Sequence, residues 1–129
     1  MYKAVRIIIQ NKQGEILILK RNQNDSGYPS LWDVPGGGVD DNEELKQAAE
    51  RESEEECCLK IKIEENYFND FYHPEKQIHV YGFKADLISG EVLLSSEHTE
   101  YKLITKDEWK NFEYIPSVTA TLKAYLSIK

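Results

Sequence analysis

The sequence predicts an α+β fold, a mixed β-sheet with helices on both faces. Three observations predict it. Short β-branched or alternating runs recur along most of the chain, with turn residues between them. Residues 45–59 instead repeat their apolar side chains at helical spacing, and a second helical pattern follows Pro116. No internal repeat, linker or low-complexity stretch interrupts this order, and 129 residues suit a single domain over 1–129.

Residues 5–9 and 16–19 are aliphatic runs either side of Asn11-Lys12-Gln13-Gly14, a hairpin signal. Lys20 and Arg21 end the second run, either as solvated charges or as a basic patch for phosphate. Residues 22–30, NQNDSGYPS, lack apolar periodicity and read as a surface loop of the kind that gates sites or contacts ligands. Leu31, Trp32 and Val34 form a short strand, with Trp32 a core residue rather than a stacking platform for a base. Pro35-Gly36-Gly37-Gly38 reads as a turn whose bare backbone takes positive φ and lets another group approach closely. Gly36 and Gly38 are therefore candidates for substrate contact. Asp40, Asp41 and Asn42 suit a helix N-terminus.

At about 100° per residue, Leu45, Ala48, Ala49 and Leu59 share one stripe of the helix that follows. Glu52, Glu55 and Glu56 fall on the same stripe, while Lys46, Gln47, Glu50 and Glu54 lie opposite. An acidic run is ordinarily a solvated face. Here the carboxylates take positions that should face the core, where like charges repel and lose hydration. They need a cation, and oxygen ligands select a hard one, Mg²⁺ or Mn²⁺.

Residues 59–63, LKIKI, alternate as a half-buried strand. Residues 67–72 and 78–87 predict two more strands around His73-Pro74-Glu75-Lys76, and their aromatics should form core or cross-strand pairs. His73, His79 and His98 show no mutual metal-ligand spacing and read as ordinary surface or strand residues. Residues 90–94 read as a turn and short strand, 95–100 as a polar loop and 101–104 as a strand. Thr105 to Glu108 has capping-box spacing for a short helix through Phe112. Pro116 and Ser117 open a last helix with Val118, Leu122, Tyr125 and Leu126 inward.

Composition narrows the function. A net charge of −7 argues against nucleic-acid binding through a basic surface, although bound cations would let an acidic protein hold a polyphosphate. No apolar run is long enough to span a membrane, and the start, MYKAVRIII, is too charged for a signal peptide. Cys57 and Cys58 are adjacent, so no disulfide framework is indicated and a reducing cytoplasm fits.

The segment around the acidic helix resembles the Nudix hydrolases, whose pattern is G-x5-E-x7-R-E-U-x-E-E-x-G-U. Gly37, Glu43, Arg51, Glu52, Glu55, Glu56 and Leu59 match at the required spacing. Ser53 stands where an aliphatic residue is usual, and Cys58 where glycine normally ends the helix. The resemblance implies an α/β/α sandwich and metal-dependent hydrolysis of a nucleoside diphosphate linked to a further group. It implies Glu52, Glu55, Glu56 and the Gly37 carbonyl as metal contacts, with Arg51 and Glu43 orienting the carboxylates. It also favours a phosphate role for Lys20 and Arg21. Glu100 is the expected extra ligand or base outside the motif, with Glu97 the alternative. Glu52 is the first choice of proton acceptor, ahead of Glu55 and Glu100.

The short chain looks like the MutT-type branch, which cleaves nucleoside triphosphates to monophosphate and pyrophosphate. The segment Tyr114-Ile115-Pro116-Ser117 lacks the asparagine with which such enzymes read an oxidised guanine. The alternative enzyme is an ADP-ribose or sugar-nucleotide pyrophosphatase, to which Pro74 is a pointer. A non-catalytic nucleotide-binding regulator is a third reading, disfavoured because every motif carboxylate is kept. The expected partner is a small nucleotide, with no nucleic acid and no membrane, bound by a monomer or homodimer.

Overall fold

The computed structural model describes residues 2–127. The sheet assembles around β1 (Tyr2–Gln10). Successive side chains on a strand face opposite ways, so Val5, Ile7 and Ile9 enter one core and Ile8 enters the other. β2 (Ile16–Arg21) divides in the same manner, Leu17 and Leu19 to the first core, Ile16 and Ile18 to the second. The turn between them is held by Asn11, whose Oδ1 accepts the N–H of Gln13 and Glu15, and by Gly14 at a φ of 82°.

The hairpin forms, but its arms pair only at Gln10 and Ile16. The reason lies in β4 (Gly36–Gly38), which takes the same edge of β1 further back, pairing Ala4 with Gly38 and Arg6 with Gly36. The glycines expected as a turn are thus a strand, and none has positive φ among the described residues. What requires glycine at Gly36 is close approach: a Cβ there would collide with the Val5 carbonyl oxygen.

On its other edge β1 runs parallel to β7 (Ile78–Ser89) along its whole length, from Tyr2 opposite Ile78 to Gln10 opposite Asp86. β5 (Lys60–Ile63) and β6 (Asn69–His73) pair antiparallel with β7. β2 pairs with β3 (Trp32–Asp33) and with β8 (His98–Ile104). α1 (Leu45–Cys57) covers one face through Ala48 and Ala49, and α2 (Pro116–Ser127) covers the other through Val118, Leu122 and Tyr125. The mixed sheet between two helices is the expected sandwich. Among the described residues no helix is long and apolar enough to cross a membrane.

Three local expectations change. α1 begins at Leu45 with Glu44 as its cap, and the Gln47 side chain accepts the Glu44 N–H at 2.9 Å. Residues 91–94 form no strand, because Leu93 and Ser95 donate instead to the Cys57 and Glu56 carbonyls that end α1. The short helix after Thr105 is a single 3₁₀ turn, Trp109–Asn111, with Glu108 accepting the Thr105 N–H.

Cys58 ends α1 in the left-handed region, at φ 59° and ψ 28°, its N–H donating to the Glu54 carbonyl. A side chain is strained there and glycine is not. Cys58→Gly should therefore stabilise the fold by roughly 0.5–1 kcal/mol, the relief exceeding the entropy that glycine adds to the unfolded chain. Chemical denaturation measures it, and a loss of stability would refute the strain. The two thiols should also differ in reactivity. Cys57 is buried, and burial followed by the neighbouring Glu56 pushes it up to about 12, whereas Cys58 is exposed. A thiol reagent such as DTNB should titrate only Cys58 in the native protein and both after denaturation.

Candidate functional site

The acidic face of α1 is held against β4 by two contacts. The Glu56 Oε1 accepts the Gly36 N–H at 2.9 Å, and the Glu52 carboxylate occupies the space that a side chain on Gly37 would fill. Glu56 is 6% exposed. Burial, with Glu97 and Asp33 nearby, pushes it up to about 9, against the opposing pull of the Gly36 N–H. Glu52 is half-buried and is raised by burial and by Glu55 and Glu97, while Arg51 pulls it down. Glu55 departs from the helical-wheel expectation. Its side chain is 57% exposed, and the buried positions of α1 include Ser53 instead. Ser53 tolerates the core because its hydroxyl donates to the Ala49 carbonyl at 2.9 Å, which removes the cost of an unpaired polar group.

Arg51 ties the motif together. Its guanidinium donates to Glu43 through Nε at 2.8 Å and Nη2 at 3.0 Å, to Glu52 at 2.7 Å and to the Gly38 carbonyl at 2.9 Å. Two weaker contacts at 3.4 Å reach Glu55. This forked clamp fixes the relative positions of the carboxylates, and it holds Glu43 at about 2.

Two residues beyond α1 come to the same place. Glu97 and His98 lie where the chain enters β8, and their ligand atoms and that of Glu56 all fall within 4.8 Å of one another. Glu100 does not join them. It sits on β8 opposite Lys20, exposed, with its carboxylate 3.9 Å from the Lys102 ammonium. The alternative, Glu97, is the acid the fold brings to the motif. His98, expected as an ordinary surface or strand residue, is buried to 4% exposure.

The basic residues are also redistributed. An open cavity of about 450 Å³ is bounded by Lys3, Arg6, Arg21, β4, Glu56 and Glu97. Of the expected basic pair only Arg21 borders it. Lys20, its neighbour on a strand, points the other way, with its ammonium 6.0 Å from the centre of the Trp32 ring. Arg21 is already engaged, with Asp33 at 2.8 Å and Asp25 at 2.8 Å. Arg6 and Lys3 were not anticipated. Arg6 interrupts an aliphatic strand, and Asp33 sits between Trp32 and Val34; a charge inside a buried run was the available signal for both.

Asp33 is the centre of this lining. It is 3% exposed, with Arg21 at 2.8 Å, Arg6 at 3.7 Å and His98 at 3.7 Å. Burial alone would push its carboxyl up; Arg6, His98 and Arg21 outweigh it and hold the group below the usual aspartate range. The residues present fit a divalent cation. Carboxylates crowd around Glu56, and both ring nitrogens of His98 are buried without a hydrogen-bond partner among the described residues.

A family model, the NUDIX domain, matches residues 2–122. An uncharacterized Nudix hydrolase of Listeria monocytogenes is 30% identical over 123 residues, covering 90% of this chain and 73% of that protein. An 8-oxo-dGTP diphosphatase of Buchnera aphidicola is 33% identical over 113 residues, covering 88% and 85%. Among solved structures, a MutT protein from Methanosarcina mazei superposes with a TM-score of 0.80 at 26% identity, over 99% of this chain and 95% of that one.

Proposed function

This chain belongs to the Nudix hydrolase family, and from that premise we propose that it hydrolyses a nucleoside triphosphate to monophosphate and pyrophosphate with a divalent cation. One observation carries the reading: Glu56, Glu97 and the cations Lys3, Arg6 and Arg21 border a single open cavity. An anionic polyphosphate fits basic groups on one side and a cation-binding acidic cluster on the other. Similarity to an 8-oxo-dGTP diphosphatase and a MutT protein supports the triphosphate class.

Glu52, Glu56 and Glu97, with the Gly37 carbonyl, would hold Mg²⁺ or Mn²⁺; Glu55, more exposed, would complete the set from the rim. Bound there, the cation would neutralise phosphoryl oxygens and make water more acidic. The Gly36 N–H keeps the Glu56 carboxylate aimed at the cavity rather than at the helix. Arg51 and Glu43 act as positioning residues that set Glu52 against Gly37. Glu52, half-buried and raised by burial, is the proposed proton acceptor. Arg6, Lys3 and Arg21 would draw in and orient the phosphates, and the exposed backbone of Gly38 allows close approach of substrate.

The test is turnover with Mg²⁺ or Mn²⁺ over nucleoside triphosphates, ADP-ribose, sugar nucleotides, dinucleoside polyphosphates and a 5′-triphosphorylated RNA, run in ¹⁸O-labelled water. Attack at the β-phosphorus places the label in pyrophosphate. Label only in the monophosphate would contradict that position, and release of orthophosphate from the triphosphate would contradict the assignment. Faster turnover of ADP-ribose or a sugar nucleotide would move the chain to the pyrophosphatases of those substrates.

A further inference from the structure

We propose that His98 supplies an imidazole nitrogen to the cation site, so that the site is a mixed nitrogen and oxygen centre rather than one of carboxylates alone. The proposal rests on reading the carboxylate cluster as a metal site. His98 is the first residue of β8, opposite Arg21, where a register shift between Lys20 and Arg21 marks an irregularity in the ladder. Its side chain is 0% exposed. Neither ring nitrogen has a hydrogen-bond partner among the described residues. A buried imidazole always carries one donor and one acceptor, or two donors, so this burial leaves polar atoms without the bonds they had in water. The same ring lies with Glu56 and Glu97 in a cluster whose ligand atoms are within 4.8 Å of one another.

Asp33 completes the pattern. Its carboxylate stands 3.7 Å from the His98 Nε2, and a metal-ligating histidine commonly turns its other ring nitrogen toward a carboxylate that fixes the ring, which would leave Nδ1 for the cation. A plain ion pair with Asp33 accounts for less, because Asp33 already accepts from Arg21 at 2.8 Å and the imidazole sits nearly an ångström further away. An imidazole donor also carries a chemical consequence. Mg²⁺ prefers oxygen, whereas Mn²⁺ and later divalent ions gain from nitrogen, so His98 should bias the site away from Mg²⁺.

The experiment uses the full chain without an affinity tag, carrying His73→Gln and His79→Gln so that His98 is the remaining histidine. Mn²⁺ binding is followed by loss of the free-ion EPR signal, and pulsed EPR reads nitrogen coupled to the bound ion. We expect a nitrogen coupling that shifts when histidine alone is ¹⁵N-labelled. In His98→Gln that coupling should vanish and Mn²⁺ affinity should fall on the order of tenfold, with a smaller change for Mg²⁺. Bound Mn²⁺ without histidine coupling would overturn the role of His98 and leave the carboxylate site standing. No bound Mn²⁺ at all would overturn both. The spectrum before His98 is altered decides the matter even if His98→Gln does not fold.

Discussion

Glu56→Gln should lower turnover by at least ~100-fold while leaving the metal-free protein as stable as before or more so. The two effects separate because the residue has two relations to its surroundings. Gln keeps the acceptor oxygen that meets the Gly36 N–H, so the packing of α1 on β4 survives. It removes the negative charge that would hold the cation. The pH dependence of the metal-free protein gives the sign. Burial raises Glu56 from its ordinary 4.5 to about 9. Ionising it is harder in the folded chain than in the unfolded one, so the folded state gains from this group below pH 4.5 and loses that gain as pH rises toward 9. With EDTA present, wild-type stability should decline across that window and Glu56→Gln should decline less. With Mg²⁺ present the order reverses. A cation bound only by the folded state adds about 2.7 kcal/mol at a hundredfold excess over its dissociation constant, and the variant should lose most of that rise in melting temperature. Glu54→Gln, exposed on the outer side of α1, should do none of these things. Equal effects at both positions would sink the distinction between the inner and outer carboxylates.

The second large effect concerns Asp33→Asn. Asp33 is the buried anion facing Arg6, Arg21 and His98. Asparagine fills the same space but leaves the guanidiniums partly desolvated without their counter-charge. Removing one side of a buried pair costs about 3 kcal/mol or more, softened here because Arg21 keeps Asp25. Denaturation midpoints at neutral pH would measure the loss. The carboxyl is held below its ordinary range, so its contribution is present above the unfolded value near 3.8 and disappears as pH falls through the lower folded value. The gap between wild type and Asp33→Asn should therefore narrow on acidification below the usual aspartate range. Asp25→Asn, nearer the surface, should cost less. A gap that widened in acid would show that Asp33 is not the stabilising anion.

What the sequence by itself determined was local and periodic. The 3.6-residue pattern of α1, the aliphatic runs of β1 and β2, the Asn11 turn and the Pro116 start of α2 each arise from neighbours along the chain, and each was legible there. The fixed spacing of Gly37, Glu43, Arg51, Glu52, Glu55 and Glu56 was legible for the same reason, since one continuous segment, strand β4, the loop after it and α1, carries all six. Tertiary structure decided the rest of the site. The glycines became a strand because β1 offered them an edge, and the Val5 carbonyl then left no room for a side chain at Gly36. Glu55 turned outward and Ser53 inward because the sheet beneath α1 decided which part of a broad stripe was covered. Glu97 rather than Glu100 joined the cluster because β8 starts at His98, earlier than its apolar residues suggest, which commits Glu100 to the ladder opposite Lys20. Strand side chains alternate faces, so a shift in where pairing begins reassigns which of two nearby acids reaches a site. Arg6, Asp33 and His98 come from three strands far apart in sequence, and only the pairing of each of those strands with β2 sets their charges within reach of one another.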